Sequence, residues 1–333
     1  MNLMQATSTP CPTLLQIDPE HEAHRLVTAI RDLVFGQFKR KGAIVGVSGG
    51  IDSSVVAALC ARALSPERVL ALFMPEADSS PESLTLGRKL VDSLGVRSEL
   101  EDITAVLDAA GCYRRRDGAI RMVIPEYGPG YKCKITLPDL LAHDRYAIFS
   151  IVVQSPTGET RKVRLTLDSY LGIVAASNLK QRTRKMVEYY HADRLNSAVA
   201  GTPNRLEYEL GFFVKGGDGA ADFKPIAHLY KSQVYLLAEY LGIPEEIRTR
   251  PPTTDTYPLE QSQEEFYFSM PLDKMDLCLY GRDRSIPPAE LAPHVGLTPE
   301  QIQRAYSMIE RKRAVARYLH SAPVTFPSSM END

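Results

Sequence analysis

A short segment rich in glycine and hydroxyl side chains is the part of this sequence best suited to chemistry on phosphate groups. Residues 43–54 read AIVGVSGGIDSS, so a β-prone run leads into two glycines and then into an apolar helical stretch. Backbone N–H groups at a helix start attract anions, and glycines let the backbone approach a ligand closely. The expected phosphate-binding residues are Ser48, Gly49, Gly50, Asp52 and Ser53. An ordinary strand-to-helix turn is the alternative interpretation.

Two acidic residues suggest a divalent cation near this loop. Asp52 places a carboxylate beside the expected phosphates, which suits Mg²⁺. Glu207 lies a little way into a helix that follows the apolar run 197–201, so it can join Asp52 on the same ion. The alternative for Glu207 is a first-turn acid that interacts only with the helix dipole.

A second group of polar residues is spread between residues 177 and 255. Arg182 and Arg184 carry planar guanidinium groups that match phosphate or carboxylate oxygens, but residues at i and i+2 do not share a helix face. Lys231 begins a predicted helix, where a cation can reach phosphate across a cleft. Solvated surface side chains and plain turns are the alternatives. The other candidates in this group are Asn178, Thr202, Lys215, Asp218, Asp222 and Thr253.

Composition places the chain among globular proteins and excludes several classes. The chain has 333 residues, a net charge of −2 and 44% hydrophobic residues, which is ample for a core. A nucleic-acid binder usually has a basic excess, and a membrane protein has an apolar run of about 18 residues or more; this chain has neither. The five cysteines are scattered without a CxxC pair, and no signal peptide is evident, so we expect a cytoplasmic protein.

Alternating apolar strands and amphipathic helices predict how these residues are positioned. Strand-like runs recur at residues 43–47, 69–74 and 97–103 with helical patterns between them, which indicates a doubly wound parallel sheet. Nucleotides bind such sheets at the carboxyl ends of the strands. The pattern breaks over residues 113–167, where two β-rich runs flank a Pro/Gly turn. We therefore expect one domain over residues 1–333 with a β-rich insertion at 113–167.

The motifs resemble those of a known enzyme family. The SGGIDSS segment resembles the pyrophosphate loop of the N-type ATP pyrophosphatases. The chain as a whole resembles the ammonia-dependent NAD synthetases over roughly residues 18–105 and 168–320. The matching motifs are N-x-K-x-R-x-R from Asn178, G-T-x-N-x-x-E from Gly201, F-x-K-x-G-D-G-x-x-D from Phe213, and L-x-K-x-Q from Leu229. The resemblance implies an adenine-nucleotide-hydrolase fold and a homodimer.

The resemblance also implies a reaction and a role for each residue. A carboxylate, that of nicotinic acid adenine dinucleotide, would attack the α-phosphorus of ATP, and ammonia would then displace AMP to give NAD. Asp218, Lys231 and Arg182 would be catalytic, and Asp52 and Glu207 would hold Mg²⁺. The expected substrate-binding residues are Asn178, Arg182, Lys215 and Asp222. The expected ATP-binding residues are Ser48, Gly49, Gly50, Asp52, Ser53, Thr202, Lys231 and Thr253.

Several alternatives remain open on the sequence alone. A ligase of the same fold that acts on another carboxylate is the main one, since the substrate end departs from the family pattern at Gly216 and after Thr254. A tRNA-thiolating enzyme usually needs catalytic cysteines and an RNA-binding module, and neither is evident here. A non-catalytic nucleotide sensor should have lost the acidic metal ligands, whereas Asp52 and Glu207 are both present. We expect ammonia to be free or supplied by a separate glutaminase. The insertion is either a flap over the acid substrate or a surface element.

Overall fold

Two β-sheets and twelve α-helices organise the part of the chain that the structure describes. The computed structural model describes residues 12–137, 149–254 and 256–326. The strands are β1 (Ala43–Gly46), β2 (Val69–Phe73), β3 (Arg97–Leu100), β4 (Lys132–Thr136), β5 (Ser150–Gln154), β6 (Thr160–Arg164) and β7 (Ala198–Ala200). Strands β3, β2, β1 and β7 form a parallel sheet in that order, and β4, β5 and β6 form a separate antiparallel sheet.

The helices connect these strands and then dominate the last third of the chain. They are α1 (Pro19–Arg31), α2 (Ile51–Leu64), α3 (Pro81–Leu94), α4 (Thr104–Ala109), α5 (Cys112–Arg121), α6 (Leu167–Leu195), α7 (Arg205–Leu210), α8 (Lys231–Tyr240), α9 (Glu245–Thr249), α10 (Leu272–Asp283), α11 (Pro288–Val295) and α12 (Pro299–His320). A π-helical turn at Asp32–Gln37 continues α1, and another lies at Glu264–Phe268. Within the described residues, no helix is both long enough and apolar enough to cross a bilayer.

Alternate residues of the parallel strands pack into two different cores. Ala43 and Val45 of β1 belong to a core shared with α1, α2, α3 and α8. Ile44, between them, belongs to a second core with α4 and with the C-terminal part of α6. Successive strand residues point to opposite faces, so helices cover both sides of the sheet. The predicted doubly wound α/β fold is therefore confirmed.

The antiparallel sheet lies within the segment predicted to be β-rich. Strands β5 and β6 form the predicted hairpin, and the turn between them closes with a bond from Ser155 N to Glu159 O of 2.8 Å. The first part of that segment is not β-structure, because Cys112–Arg121 is the helix α5 and buries Cys112 and Ile120. The buried residues of α5 recur at helical spacing and are Cys112, Arg116, Ala119 and Ile120. The β-structure that the sequence predicts from residue 113 therefore begins about twenty residues later, at Lys132.

Helix α6 joins the two sheets. It has 29 residues, which at 1.5 Å per residue makes it about 43 Å long. Its C-terminal part contributes Ala192 to the core under the parallel sheet, and its N-terminal part contributes Ile173 to the core under the antiparallel sheet. Thr166 caps its start and Asn196, with a φ of 50°, ends it. The helix therefore spans the distance between the glycine-rich loop and the antiparallel sheet.

Candidate active site

A large cavity opens at the carboxyl ends of the parallel strands. Its volume is about 550 Å³, within the range of ligand-binding pockets. The ends of β1, β2 and β7 form its base, and one face of α6 forms a long wall. The predicted site residues that line it are Ser48, Gly50, Asp52, Ser53, Asn178, Thr202, Glu207, Asp218, Lys231 and Thr253. The structure thus brings together most of the residues that sequence reasoning selected.

The glycine-rich loop turns sharply between β1 and α2. Gly49 has a φ of 73°, and a Cβ there would lie 2.4 Å from the carbonyl oxygen of Ser83, so only glycine fits. Gly50 is the N-cap residue of α2 and has no side chain with which to cap the backbone N–H groups of the first turn. This helix start is therefore available to an anion. The hydroxyls of Ser48 and Ser53 lie 3.3 Å apart across the loop. These groups lie together at the turn where the sequence predicts a phosphate-binding site.

A buried ion pair stands beside the loop. Lys231, only 2% exposed, donates a short hydrogen bond to Oδ2 of Asp52. The amide of Asn204 donates to Oδ1 of the same carboxylate at 3.1 Å. Burial lowers the pKa of Lys231, but the charges of Asp52 and Glu207 outweigh that effect and the pKa is raised. Lys231 is therefore a fixed positive charge at the cavity base.

Glu207 is the second carboxylate at this position. Asn204 caps α7 in a reciprocal box, in which Glu207 N donates to Asn204 Oδ1 and Asn204 N donates to Glu207 Oε2, each at 3.2 Å. Gln263 donates to the other oxygen at 2.9 Å. Burial and the nearby Asp52 raise the pKa of Glu207 to about 8, although Lys231 opposes the shift. If both carboxylates are ionised, they carry one negative charge more than Lys231 balances, and an added cation would favour that ionised state.

Asp276 of α10 supports Lys231 from behind, and sequence reasoning did not select it. Its carboxylate accepts hydrogen bonds from the backbone N–H groups of Lys231 and Ser232, at 3.1 and 2.7 Å, and from the Ser232 hydroxyl at 2.7 Å. Asp276 thus caps the start of α8 from a distant helix. Burial raises its pKa to about 6, against these hydrogen bonds. Lys231 and Asp276 are 45 positions apart in the sequence, so no local pattern pointed to this contact.

Further charged residues of α6 face the cavity near the end of β1. Lys185 pairs with Glu188 at 2.5 Å, and both side chains are buried. A Cβ on Gly46 would lie 3.0 Å from Oε1 of Glu188, which places this pair against the strand end. Asp218 lines the same region and accepts a 2.7 Å hydrogen bond from Val214 N. Burial raises the pKa of Asp218, while that hydrogen bond and the charge of Lys185 lower it.

The opposite end of the cavity is aromatic. Phe149, just before β5, stacks on Tyr170 of α6 with ring centroids 4.1 Å apart and an interplanar angle of 19°. Tyr257 contacts Phe266 at 5.8 Å, and its hydroxyl accepts a 3.3 Å hydrogen bond from Ser177. We call these four rings the aromatic end, and the surroundings of Ser48, Asp52, Glu207 and Lys231 the charged end. The sequence predicted the charged end and did not select any of the four rings.

The structure does not bring Arg182, Lys215 and Asp222 to the cavity. Arg182 is exposed and donates to the carbonyl of Lys215 at 3.3 Å, whereas Arg184, on another face of α6, lines the cavity and donates to Met74 O at 3.2 Å. The two arginines diverge because residues two apart on a helix point about 200° apart. The prediction that Arg182 rather than Arg184 meets ligand is not supported by this placement.

Lys215 and Asp222 have structural contacts instead. The ammonium group of Lys215 donates to the carbonyls of Tyr318 and Ser321, at 2.9 and 3.0 Å, and so caps the C-terminal end of α12. The carboxylate of Asp222 accepts from Val199 N at 2.7 Å, at the edge of β7. Their positions in a polar motif suggested ligand contacts, but long-range backbone partners use both groups. Gly49, also predicted, shapes the loop and does not line the cavity.

Comparison with known proteins gives a consistent result. The family model for NAD synthase matches residues 22–118 and 155–316 and leaves out residues 119–154 between them. The NH(3)-dependent NAD(+) synthetase of Rhizobium meliloti (strain 1021) is 57% identical over 309 residues, which cover 93% of this chain and 92% of that one. The enzyme of the same description from Thermotoga maritima is 32% identical over 302 residues, or 90% of this chain and 98% of that one.

Solved structures show the same fold. The NH3-dependent NAD synthetase from Campylobacter jejuni, in complex with the nitrate ion, aligns with a TM-score of 0.60 at 23% identity. The alignment covers 93% of this chain and all of that one. This likeness concerns the fold, whereas the family match and the sequence relatives concern descent. The family match and the sequence relatives confirm the family that the motifs indicated. The chain belongs to the NAD synthase family.

Proposed function

We propose that the cavity is the active site of an ammonia-dependent NAD synthetase. In this reaction the carboxylate of nicotinic acid adenine dinucleotide attacks the α-phosphorus of ATP, and pyrophosphate leaves. Ammonia then attacks the acyl carbon of the adenylate, so AMP leaves and the amide of NAD is formed. The observation that carries the proposal is the glycine-rich loop with the Asp52–Lys231 pair and Glu207 beside it, in a family of this activity. A ligase for another carboxylate is not favoured by relatives that share one description at up to 57% identity.

The charged end suits the triphosphate of ATP. Ser48 and Ser53 present hydroxyls, and the start of α2 presents backbone N–H groups, to the β- and γ-phosphates. Lys231 supplies a positive charge that is held in place before the reaction by Asp52 and Asp276. Such preorganised charges stabilise the charge that develops on the leaving pyrophosphate. Thr202 and Thr253, at the cavity wall, offer hydroxyls to the nucleotide.

The carboxylates of Asp52 and Glu207 fit a magnesium ion. Both are oxygen ligands, which Mg²⁺ prefers. Burial and the nearby charge of Asp52 raise the pKa of Glu207, and a bound cation would favour its ionised form. A bound Mg²⁺ would neutralise phosphate charge and assist the departure of pyrophosphate. Asn204 and Gln263 hold the two carboxylates in position through their hydrogen bonds. The two proposed metal ligands are thus positioned by neutral amides, which add no charge to the site.

The second step requires a neutral ammonia molecule close to the adenylate. Asp218 lies at the cavity with a raised pKa, near Lys185 and Glu188 of α6. We propose that its carboxylate orients ammonium and accepts the proton that must be lost before attack. Arg184 takes the role that sequence reasoning gave to Arg182, because its guanidinium lies at the cavity. We also propose a cytoplasmic homodimer that uses free ammonia or ammonia from a separate glutaminase.

The proposed function is tested by supplying ATP, Mg²⁺ and ammonium with nicotinic acid adenine dinucleotide. NAD is measured with an alcohol dehydrogenase assay, and pyrophosphate release is measured in parallel. We expect equal amounts of both products. Pyrophosphate release with another carboxylic acid, together with no NAD from the dinucleotide, would contradict the assignment of the substrate. The oligomeric state is measured on the same sample by light scattering.

A further inference from the structure

One face of α6 connects the charged end of the cavity to its aromatic end. The residues of α6 that line the cavity recur at helical spacing and are Tyr170, Val174, Ser177, Asn178, Gln181, Arg184, Lys185 and Glu188. Tyr170 and Glu188 are eighteen residues apart, which corresponds to about 27 Å along a helix at 1.5 Å per residue. A ligand that contacts both ends must therefore be long. ATP at the glycine-rich loop accounts for only one of these ends.

The aromatic end is built to receive a flat ring. Phe149 and Tyr170 stack nearly parallel, and a third ring can extend such a stack. Both side chains are only partly buried and both line the cavity. Within the described part of the chain, the Tyr170 hydroxyl has no hydrogen-bond partner, so it is free to bond a ring nitrogen or an exocyclic amine. This combination suits a heteroaromatic base better than it suits an aliphatic group.

The chemistry of the proposed reaction decides which ring reaches this position. This step rests on the proposed function, since it takes nicotinic acid adenine dinucleotide as the acid. The reacting carboxylate is attached directly to the pyridine ring, so that ring must lie beside the α-phosphate of ATP at the charged end. The other planar ring of the same substrate is its adenine, at the far end of the dinucleotide. We propose that Phe149 and Tyr170 form an adenine-binding wall that selects the dinucleotide acid over the mononucleotide acid.

The wall depends on a segment that the family match leaves out. Phe149 lies within residues 119–154, between the two matched ranges, and its backbone carbonyl accepts a 3.0 Å hydrogen bond from Leu165 N at the end of β6. The antiparallel sheet thus fixes Phe149 against α6. The same sheet holds the loop with Tyr257 and Phe266, since Leu259 N donates to Cys133 O at 3.2 Å and Leu137 N donates to Glu265 O at 3.1 Å. The sheet therefore shapes the aromatic end as a specificity element.

The test compares two acids in four variants. Nicotinic acid adenine dinucleotide is the substrate, and nicotinic acid mononucleotide, which lacks the adenylate half, is the competitor. For F149A we expect KM for the dinucleotide to rise about tenfold with kcat unchanged, as for loss of one stacking face. The inhibition constant of the mononucleotide and KM for ATP should stay within about twofold. F149W should restore KM, and Y170F should raise it less than F149A does, because it loses only the hydroxyl.

Y131A is the matched control. Tyr131 is another half-buried aromatic residue at the antiparallel sheet, packed on Tyr127 at 5.5 Å, but it does not line the cavity. A rise in KM with Y131A equal to that with F149A would show that the sheet acts only through stability and would overturn the wall. An equal loss of mononucleotide binding in F149A would place the pyridine ring there and would also overturn it. If the wild-type protein makes no NAD, the proposed function fails. If the wild-type protein turns over normally and F149A has an unchanged KM for the dinucleotide, only the adenine-binding wall is overturned.

Discussion

The charged end and the aromatic end of the cavity are built in different ways. The charged end uses residues at strand and helix ends, such as Ser48 after β1, Glu207 in α7 and Lys231 at the start of α8. The aromatic end uses rings from the antiparallel sheet, from α6 and from the loop around residues 257–266. The first therefore depends on the parallel sheet, and the second depends on a sheet that the family match interrupts.

This difference separates chemistry from substrate choice. Reactive phosphates require fixed charges in fixed places, and the parallel sheet supplies these from short turns. A large ring at the far end requires only shape and stacking, which a separate sheet can provide without disturbing the charges. Variants at the charged end should therefore reduce kcat, whereas variants at the aromatic end should change KM for the acid. Four predictions test this separation.

The largest effect is expected at the charged end. E207Q and D52N should each lower kcat by about 10² to 10³, because each removes a carboxylate ligand of the proposed Mg²⁺, which would neutralise charge on the leaving pyrophosphate. We use asparagine rather than alanine at Asp52 because it keeps an oxygen that can accept from Lys231. The side chains of Lys231 and Asp52 are only 3% and 14% exposed, so water cannot readily replace that contact. Alanine would leave the buried charge of Lys231 without a partner, which costs about 3–5 kcal/mol of stability. Steady-state NAD formation is the measurement, and D92N, at an exposed acid of α3, is the control. Near-normal kcat in E207Q would reduce Glu207 to a helix-capping residue.

The two arginines of α6 form a matched pair for the next effect. R184A should lower kcat/KM at least tenfold, because Arg184 lines the cavity and is held by Met74 O. R182A should stay within about twofold, because Arg182 is exposed and contacts only Lys215 O. Each variant is compared with wild type at saturating ATP and at saturating acid substrate. A larger loss of kcat/KM in R182A than in R184A would contradict the assignment of Arg184 as the arginine that meets the ligand.

The pH dependence of stability tests the charge at Glu207. Its pKa is raised from 4.5 to about 8, so the folded protein holds this proton more tightly than the unfolded chain does. Its contribution to stability is complete below pH 4.5 and is lost as the pH rises through about 8. The melting temperature of the metal-free wild type should therefore fall more steeply between about pH 5.5 and 9 than that of E207Q. Differential scanning calorimetry provides the comparison, and parallel curves would contradict it.

A smaller effect is expected where the antiparallel sheet meets the loop around residues 257–266. The buried side chain of Gln261 donates to the carbonyl of Ile135 in β4, and Lys134 pairs with Glu265 at 2.8 Å. Q261A should cost about 1 kcal/mol of stability and raise KM for the acid by a few-fold, with KM for ATP unchanged. Urea unfolding and steady-state kinetics measure the two effects. K134A, at a more exposed contact, should show less of both.

The sequence revealed the charged end because its signals are local. Residues 43–54 contain a strand, a glycine turn and a helix start within twelve residues, and Asn204 and Glu207 form a capping box within four. The same local reasoning failed where partners are distant. Asp276 caps α8 from 45 residues away, and Lys215 and Asp222 bind backbone groups of other elements. No spacing rule in one sequence predicts such contacts.

The aromatic end was missed for a related reason. Phe149, Tyr170, Tyr257 and Phe266 come from three separate segments, and each looks like an ordinary core aromatic where it stands. Only the packing of α6 between the two sheets brings them to one cavity. The β-rich character of the region was visible in the sequence, but α5 was not, because one of the four residues on its buried face is the charged Arg116. Local chemistry was therefore predictable, while the placement of the insertion depended on tertiary packing.

The most direct test of the proposed reaction is ³¹P NMR of a mixture of protein, ATP, Mg²⁺, ammonium and nicotinic acid adenine dinucleotide. Attack at the α-phosphorus, as the glycine-rich loop and its neighbouring charges require, predicts AMP, pyrophosphate and NAD in equal amounts. Omission of ammonium should leave the acyl-adenylate and pyrophosphate without NAD. Formation of ADP and inorganic phosphate would contradict the proposed reaction.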